Sequence, residues 1–489
     1  MSQFISFFSK KVIAILKSMS DFILKEKNAQ NWLILTVCLI HFLLGLDINI
    51  VSVSLPSVAE HFKINAGEVT RVVWVYFLVL TCFLLGFGKL GDLKGFRKMY
   101  LSGIGLFTIG SLLSALAFSF NSLIAFRIIQ ATGGALLFAL TPAIISTYLP
   151  EEIRGRVFGI NYSFTAFGGI VGRAASGFLI SSFGWNSIFL INFPVGILAL
   201  ILGLKFLPKL QPESRTEKFD IAGSIIIFCV LFCALYVINT GQETGWFSGE
   251  IILFSLVSII FLAVFIFRQM KIKNPLLNFS LMKNKEILFP LIAFSLVYIV
   301  TNGTIYIFPF FLQWIKSIPR EEVGLLMAIP SVLQMVSGYI SGRLSDTKNK
   351  KIICTTGLLL TIISFVFFVY LGPESGKLFI VSGLILYGIA IGVFIPSNTN
   401  NIMAQAPYGD KGSVSSVMVT VIRLGSALGV VLFGTVFSAY VPQKNPVQAG
   451  IPIDKIAEGF NITFLVGLVV SVITLLLFTA PIIFRKKDR

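Results

Sequence analysis

The sequence predicts an all-α integral membrane protein, in which two homologous six-helix bundles flank an inserted two-helix hairpin. Three observations support this fold class. Hydrophobic residues make up 56% of the chain and charged residues only 12%, whereas soluble domains carry about 25% charged residues. The apolar residues form runs of about 20 or more, long enough for a helix to cross a hydrocarbon core of roughly 30 Å. Motifs of the first half of the chain also recur in the second half.

Fourteen apolar runs follow one another along the chain, and each is predicted to be a transmembrane helix. They lie at 32–55, 69–91, 99–119, 122–147, 156–181, 187–207, 219–240, 251–270, 287–314, 322–343, 352–371, 377–402, 413–438 and 460–484. Removing the pair within 219–270 leaves six helices on either side. That is the arrangement expected of a duplicated six-helix unit.

A repeated pentad supports the duplication. The segment Gly88–Asp92 reads Gly-Lys-Leu-Gly-Asp and closes the second apolar run, and Gly342–Asp346 reads Gly-Arg-Leu-Ser-Asp and closes the tenth. Each pentad ends in a carboxylate and is followed by basic residues before the next apolar run begins. Internal repeats of this kind are common in transporters.

The chain is predicted to have five segments. Residues 1–30 are basic and carry apolar residues at helical spacing, which predicts an amphipathic helix on the cytoplasmic membrane surface; a frayed tail is the alternative. The N-terminal bundle spans 31–207, the linker with the inserted hairpin 208–272, and the C-terminal bundle 273–484. Residues 485–489 form a cytoplasmic tail.

The net charge of +17 is concentrated in short loops on alternate sides of the predicted helices. This is the positive-inside pattern, and it predicts that both termini are cytoplasmic. Because the cations lie in these loops, the net positive charge is explained by membrane orientation. We therefore expect no nucleic-acid partner. The expected location is the inner or plasma membrane of the cell, where the protein is surrounded by the lipid bilayer. We expect the protein to be a monomer.

Several polar residues fall within predicted helices. Asp47 is the carboxylate placed well inside a helix, and such residues mark proton or ion pathways by default; a structural ion pair is the alternative. Arg127 and Gln130 share a face of the fourth helix because they are one turn apart. Arg423 in the thirteenth helix could face a cavity or extend to the membrane surface. His41, one or two turns before Asp47, could relay protons.

Two further helices carry features of packing or of a cavity. In the fifth helix, small residues spaced by four predict a close helix contact: Gly168, Gly172 and Ser176. Arg173 interrupts this stripe, and Asp47 or an anionic group of the substrate is its expected partner. Asn398 follows Pro396 near the end of the twelfth helix, where a broken helix could expose polar groups; a loosely wound exit into a loop is the alternative.

No motif of a nucleotide hydrolase or a metalloenzyme occurs. The sequence lacks a Walker A loop and a His-Glu-x-x-His motif, and its five cysteines lie in apolar runs without histidine or carboxylate neighbours. We therefore expect no enzymatic activity, no cofactor and no metal. Any transport would use an ion gradient or the gradient of the substrate.

These motifs resemble the major facilitator superfamily, in particular its fourteen-helix branch of drug:proton antiporters. The likeness covers nearly everything from residue 31 to residue 484. The segments similar to motifs of that branch are 46–56 with Asp47 in the first helix, 88–97 after the second, 127–130 in the fourth, 219–223 at the start of the hairpin, and 423–429 in the thirteenth.

The resemblance implies alternating access between two six-helix bundles, with proton entry driving the export of an amphiphilic small molecule or drug. It assigns proton coupling to Asp47 and Arg127. We expect the substrate cavity to include Gln130, Arg173, Asn398 and Arg423. A cytoplasmic latch, in which Asp92 pairs with Arg97, is expected to involve Arg97 and residues of both pentads: Gly88, Asp92, Gly342, Arg343 and Asp346.

Two other functions remain open at this point. One is a carrier for an anionic metabolite, a siderophore or a lipid, and the other is a membrane sensor or assembly partner that transports nothing. The fifth-helix motif of the branch normally reads Gly-Pro, whereas this chain reads Gly172-Arg173. The change replaces a helix-kinking residue by a permanent cation. It predicts a preference for neutral or anionic amphiphiles over multiply cationic drugs.

Overall fold

The computed structural model describes residues 24–64, 66–209, 219–272, 275–277, 279–441 and 450–485. Within these residues the chain forms fourteen long helices and no β-strand. The helices are α1 Lys27–Phe62, α2 Arg71–Lys94, α3 Phe96–Ala115, α4 Phe120–Tyr148, α5 Glu151–Phe183, α6 Asn192–Phe206, α7 Ile221–Thr244, α8 Gly249–Lys271, α9 Lys285–Trp314, α10 Arg320–Thr347, α11 Lys350–Val369, α12 Lys377–Gln405, α13 Lys411–Tyr440 and α14 Ile453–Arg485.

The helix order confirms the predicted fold class. Thirteen candidate spans in the described part of the chain are long and apolar enough to cross a membrane. The remaining long helix is α3, whose 20 residues begin next to the basic pair Arg97 and Lys98 and include several Gly and Ser. It packs along α4 and thereby completes the N-terminal six-helix bundle. Of the segment predicted to be amphipathic, residues 1–30, the part up to residue 23 lies outside the described residues.

Glycines allow the first and fifth helices of the N-terminal bundle to pack backbone to backbone. A Cβ on Gly168 would overlap the carbonyl of Phe42, and one on Gly172 would lie 2.7 Å from the carbonyl of Leu46. Such small-residue contacts replace the hydrophobic driving force that lipid does not supply between membrane helices. The backbones of α1 and α5 therefore fit together as two complementary surfaces.

The C-terminal bundle repeats this contact between its own first and fifth helices. A Cβ on Gly425 or Gly429 of α13 would overlap the carbonyls of Ser295 and Ile299 on α9. The glycine contact thus recurs at the equivalent helix pair. The two bundles therefore share the same helix contact, as expected of the duplication that the pentads indicate.

The inserted hairpin, α7 and α8, is held together at its base by Asp220. This carboxylate caps α7 through the Gly223 N–H at 2.9 Å, and it pairs with Arg268 of α8 at 2.7 Å. Gln269 donates to it at 2.8 Å and accepts from the Leu276 N–H at 2.6 Å, which fixes the exit towards the C-terminal bundle. Burial raises the pKa of Asp220, but the hydrogen bonds from Arg268, Gly223 and Gln269 outweigh it and hold the pKa below its usual value.

The helix carrying Pro396 is continuous, so the predicted broken helix or loose exit is wrong. The α12 backbone stays helical through Pro396 to Gln405, and Asn398, Asn400 and Asn401 are all buried. Neighbouring backbone and side-chain groups form hydrogen bonds with some of the polar atoms of these amides. Asn398 Nδ2, for example, donates to the Pro290 carbonyl at 3.0 Å.

Candidate functional site

Asp47 lies at the centre of a buried hydrogen-bond network within the N-terminal bundle. It is fully buried in the middle of α1, and its carboxylate accepts hydrogen bonds from three side chains. Arg127 Nη1 donates to Oδ2 at 3.0 Å, while Gln130 Nε2 and Asn192 Nδ2 donate to Oδ1 at 2.9 and 2.8 Å. The structure thus brings the predicted residues Asp47, Arg127 and Gln130 together.

Ser111 on α3 completes this network. Its Oγ accepts from Gln130 at 3.2 Å and from Asn192 at 3.0 Å, and it donates to the Phe189 carbonyl at 2.9 Å. The network therefore connects α1, α3, α4 and α6. Because Asp47 and Arg127 are both buried, removing either charge leaves the other uncompensated, which is strongly unfavourable. Protonating Asp47 would have this effect on Arg127.

The Arg127 guanidinium also contacts α2. Its Cζ lies 4.2 Å from the centre of the Tyr76 ring, within the range of a cation–π interaction. Its Nε donates to the Val72 carbonyl at 3.5 Å, one turn earlier on the same helix. A change of charge at Asp47 would therefore act on α2 through Arg127.

The far end of α2 carries the first pentad, and Asp92 there contacts the opposite bundle. Its carboxylate accepts from the backbone N–H groups of Gly412 and Ser413, both at 2.8 Å, and from Ser413 Oγ at 2.7 Å. These N–H groups belong to the first turn of α13. The N-terminus of a helix has unpaired donors and a partial positive charge, so it favours an anion.

The second pentad makes the equivalent contact in the opposite direction. Asp346 of α10 accepts from the N–H groups of Gly155 and Arg156 near the start of α5, at 2.5 and 2.7 Å. Asn400 Nδ2 donates to Asp346 Oδ1 at 3.4 Å and to Ser345 Oγ at 2.9 Å. We call the Asp92 and Asp346 contacts the two clamps, and the end of the molecule where they lie the pentad end.

Glycines bring the bundles close enough for both clamps to form. A Cβ on Gly88 would overlap the Gly412 carbonyl, and one on Gly342 would overlap the Gly155 carbonyl. Further along α5, Tyr162 Oη donates to Gln334 at 2.9 Å across the same interface. The bundles are therefore in direct backbone contact at the pentad end.

The predicted pairing of Asp92 with Arg97 is wrong in this structure. Arg97 Nη2 donates to the Leu204 carbonyl of α6 at 2.6 Å, and the partners of Asp92 are the N–H groups of α13. The guanidinium is thus used within the N-terminal bundle, where it ties α3 to α6. Arg343 of the second pentad is exposed, so its side chain is not part of the buried clamp.

Arg423 points across the interface and does not extend to a membrane surface. Its Cζ lies 4.6 Å from the centre of the Phe138 ring on α4 and 5.6 Å from the Phe77 ring on α2. His41 stacks edge-on against Phe138, with ring centres 5.5 Å apart, and its Nδ1 is 3.1 Å from Thr165 Oγ1. The cation of α13 is therefore surrounded by aromatic groups of the N-terminal bundle.

Two of the residues expected at the cavity lie elsewhere, and a third, Arg173, lacks one of its two expected partners. Gln130 and Asn398 are fully buried within their own bundles, where hydrogen bonds hold their amides. Arg173 is exposed and does not pair with Asp47, whose partners are Arg127, Gln130 and Asn192. At 100° per residue, Arg173 lies on nearly the same face of α5 as Tyr162, which faces α10.

Sequence reasoning missed Asn192, Ser111 and Tyr76. Asn192 is a polar residue near the middle of a mostly apolar stretch, which is a signal of the same kind as Gln130. Ser111 and Tyr76 carried no such signal. Serine is common in membrane helices, and Tyr76 acts through a ring whose orientation only packing defines.

Comparison with known proteins agrees with this geometry. A family model described as Major Facilitator Superfamily matches residues 37–430. The chain is 30% identical to the riboflavin transporter RibZ of Clostridioides difficile (84% of this chain, 89% of the relative), and 26% identical to the multidrug resistance protein Stp of Mycobacterium tuberculosis (82% and 74%). The solved proton:xylose symporter XylE shares the fold with a TM-score of 0.58 at 15% identity, covering 90% of this chain and 94% of that one. This chain belongs to the major facilitator superfamily of membrane transporters.

Proposed function

We propose that this transporter exports amphiphilic small molecules in exchange for protons, by alternating access between its two bundles. The observation that carries the proposal is the Asp47–Arg127 pair, because ionisable side chains buried within membrane helices mark proton and ion pathways. Multidrug resistance proteins among the relatives support an exporter. The riboflavin transporter supports a substrate with an extended ring system.

The path from proton to conformational change runs along α2. This helix contributes Tyr76 and Val72 to the surroundings of Arg127, and it carries Asp92 about 24 Å further along its axis. Protonation of Asp47 would release Arg127 to seek other partners. The resulting shift of α2 would weaken the Asp92 clamp and favour opening of the pentad end.

The described state is closed at the pentad end. We propose that this end faces the cytoplasm, as the positive-inside pattern predicts for both termini, and that the protein lies in the cell membrane as a monomer. Opening this end would admit substrate from the cytoplasm. Closing it again would require both carboxylates to return to their helix N-termini, so the two clamps would act as the cytoplasmic latch.

Substrate-driven proton movement in vesicles tests the proposal. Asp47→Asn keeps the size of the side chain but cannot carry a proton, so we expect it to abolish the substrate-induced pH change. The matched control is Asp454→Asn, which removes an exposed carboxylate at the start of α14. If Asp47→Asn exchanged protons for substrate at the wild-type rate, another group would carry the proton.

A further inference from the structure

The surroundings of Arg423 contain a positive charge but lack the anion that such a charge normally requires. A membrane-embedded guanidinium is stable when it is paired, hydrated or bound to a ligand. Among the described residues, Arg423 forms no salt bridge or hydrogen bond, and its Nε is buried without a partner. The buried carboxylate of Asp47 is already paired with Arg127.

Two other polar atoms near Arg423 are also buried without hydrogen-bond partners. One is His41 Nε2, on the ring that stacks against Phe138, and the other is the hydroxyl of Tyr76. Both residues interact electrostatically with Arg423. Buried polar atoms in native proteins are normally hydrogen-bonded. Two such atoms beside a cation whose own Nε is also unpaired therefore indicate a site for a polar ligand.

The rest of the site is aromatic. Phe138 and Phe77 flank the guanidinium, and Tyr298 on α9 lies within electrostatic range on the side of the C-terminal bundle. Aromatic faces bind planar apolar groups, and the guanidinium supplies donors for a carboxylate, sulfonate or phosphate. Both bundles contribute to the site, so a bound ligand would sense their relative movement.

From these observations we infer that Arg423, Tyr76 and His41 form the binding site for the anionic group of an aromatic amphiphile, whose ring system packs against Phe77 and Phe138. The inference rests on the proposed function in that it names the chemical class of the exported substrate. Arg423 would donate hydrogen bonds to the anionic group, and the rings would contact the planar part of the ligand. Arg127, in contrast, is already paired with Asp47 in this structure.

Two dyes that share a xanthene ring but carry opposite charge test this site: fluorescein, an anion, and rhodamine 123, a cation. Their binding to the purified full-length protein in detergent is measured by fluorescence anisotropy, without a proton gradient. We expect wild type to bind fluorescein more tightly. Arg423→Met should weaken fluorescein binding about tenfold or more, equivalent to about 1.4 kcal/mol, and should not weaken rhodamine 123 binding.

Two variants control for net charge and for folding. Arg71→Met removes a cation from an exposed position at the start of α2, so it should leave both affinities unchanged. Arg423→Lys keeps the charge and should retain most of the fluorescein affinity. A wild type that prefers rhodamine 123, or an Arg423→Met variant that loses both dyes equally, would overturn the inference. Because no transport is measured, failure here would leave the proton-coupling test unaffected.

Discussion

Asp47 and Asp220 are both aspartates paired with an arginine, but their surroundings differ in exposure. Both accept several hydrogen bonds and pair with one arginine. The Asp47 pair is fully enclosed, whereas 38% of the Arg268 side chain that faces Asp220 is exposed. A proton reaching Asp47 must therefore disturb neighbouring side chains, but water can replace part of the Asp220 pair.

Removing Arg127 should destabilise the protein because it leaves Asp47 charged and buried. We expect Arg127→Met to lower the free energy of unfolding by about 3–5 kcal/mol, measured by thermal unfolding in detergent. The double variant Asp47→Asn/Arg127→Met removes both charges and should recover part of this loss. Equal stability of the single and double variants would contradict a coupled pair.

The Asp220 pair should give a pH-dependent stability. Since the folded-state pKa of Asp220 is lowered, its contribution is fully present above the unfolded-state pKa of about 3.9 and is lost as the pH falls through the folded-state pKa. Asp220→Asn keeps the helix cap but loses the charge. We expect it to reduce stability by about 1 kcal/mol at pH 7.

Thermal unfolding of wild type and Asp220→Asn from pH 7 downwards measures this effect. The difference between them should shrink as the pH falls through the folded-state pKa of Asp220. Asp454→Asn, at an exposed position, serves as the reference for general effects of charge. A constant difference across the pH range would show that the ionised form of Asp220 is not the stabilising species.

At the scale of helices, glycine placement decides which faces meet. The α5 helix has three kinds of glycine: Gly168 and Gly172 contact α1, Gly155 contacts α10, and Gly177 would have open space around an added Cβ. One helix therefore joins the interior of its own bundle to the opposite bundle. The same division occurs in α13, where Gly425 faces α9 and Gly412 faces α2.

Adding a single methyl group to α5 should distinguish these faces. Gly168→Ala places a Cβ against the Phe42 carbonyl, a backbone atom that cannot rotate away, so α1 and α5 must separate. We expect a loss of about 1–3 kcal/mol in stability. Gly177→Ala is the matched control on the same helix, and it should be neutral or slightly stabilising because nothing lies within 4 Å of its Cβ. Similar melting temperatures for both variants would rule out the close contact.

At the scale of the whole molecule, the two clamps hold the bundles in one relative orientation. Each clamp places a carboxylate of one bundle on a helix start of the other, and each helix pair has its own glycine contact. Further bonds cross nearby, including Ser415 Oγ to the Ala139 carbonyl at 2.6 Å and Lys411 Nζ to the Ser146 carbonyl. Opening the pentad end requires all of them to break together.

Neutralising either clamp should therefore shift the population towards a state that is open at the pentad end. We expect Asp92→Asn and Asp346→Asn each to change the equilibrium by about 1–3 kcal/mol, a 5- to 150-fold population change. Spin labels at the exposed positions Lys94 and Gln405 report the separation of the bundles there. The double variant should open furthest, and Asp454→Asn should not open at all. An unchanged distance distribution in the double variant would rule out the latch.

The sequence alone determined the fold class, the order of the fourteen helices and the identity of the main buried polar residues. Helix length and hydropathy are local properties of a membrane segment, and an ionisable residue within an apolar run stands out without any tertiary information. The duplication is also visible in the sequence, because each pentad, Gly88–Asp92 and Gly342–Asp346, is an unbroken run of residues. For the same reason Asp47, Arg127 and Arg423 could be named as candidates before their positions were known.

Only the tertiary structure decided which of these residues meet. The partner of Asp92 is a pair of backbone N–H groups more than 300 positions away in the chain, and backbone donors carry no mark in a sequence. The burial of Asn398 and the separation of Arg173 from Asp47 depend on the rotation of each helix about its axis. Neighbouring helices fix that rotation, as Gly168 and Gly172 fix α5 against α1. Whether a polar side chain faces a partner, a ligand or the exposed surface depends on that rotation.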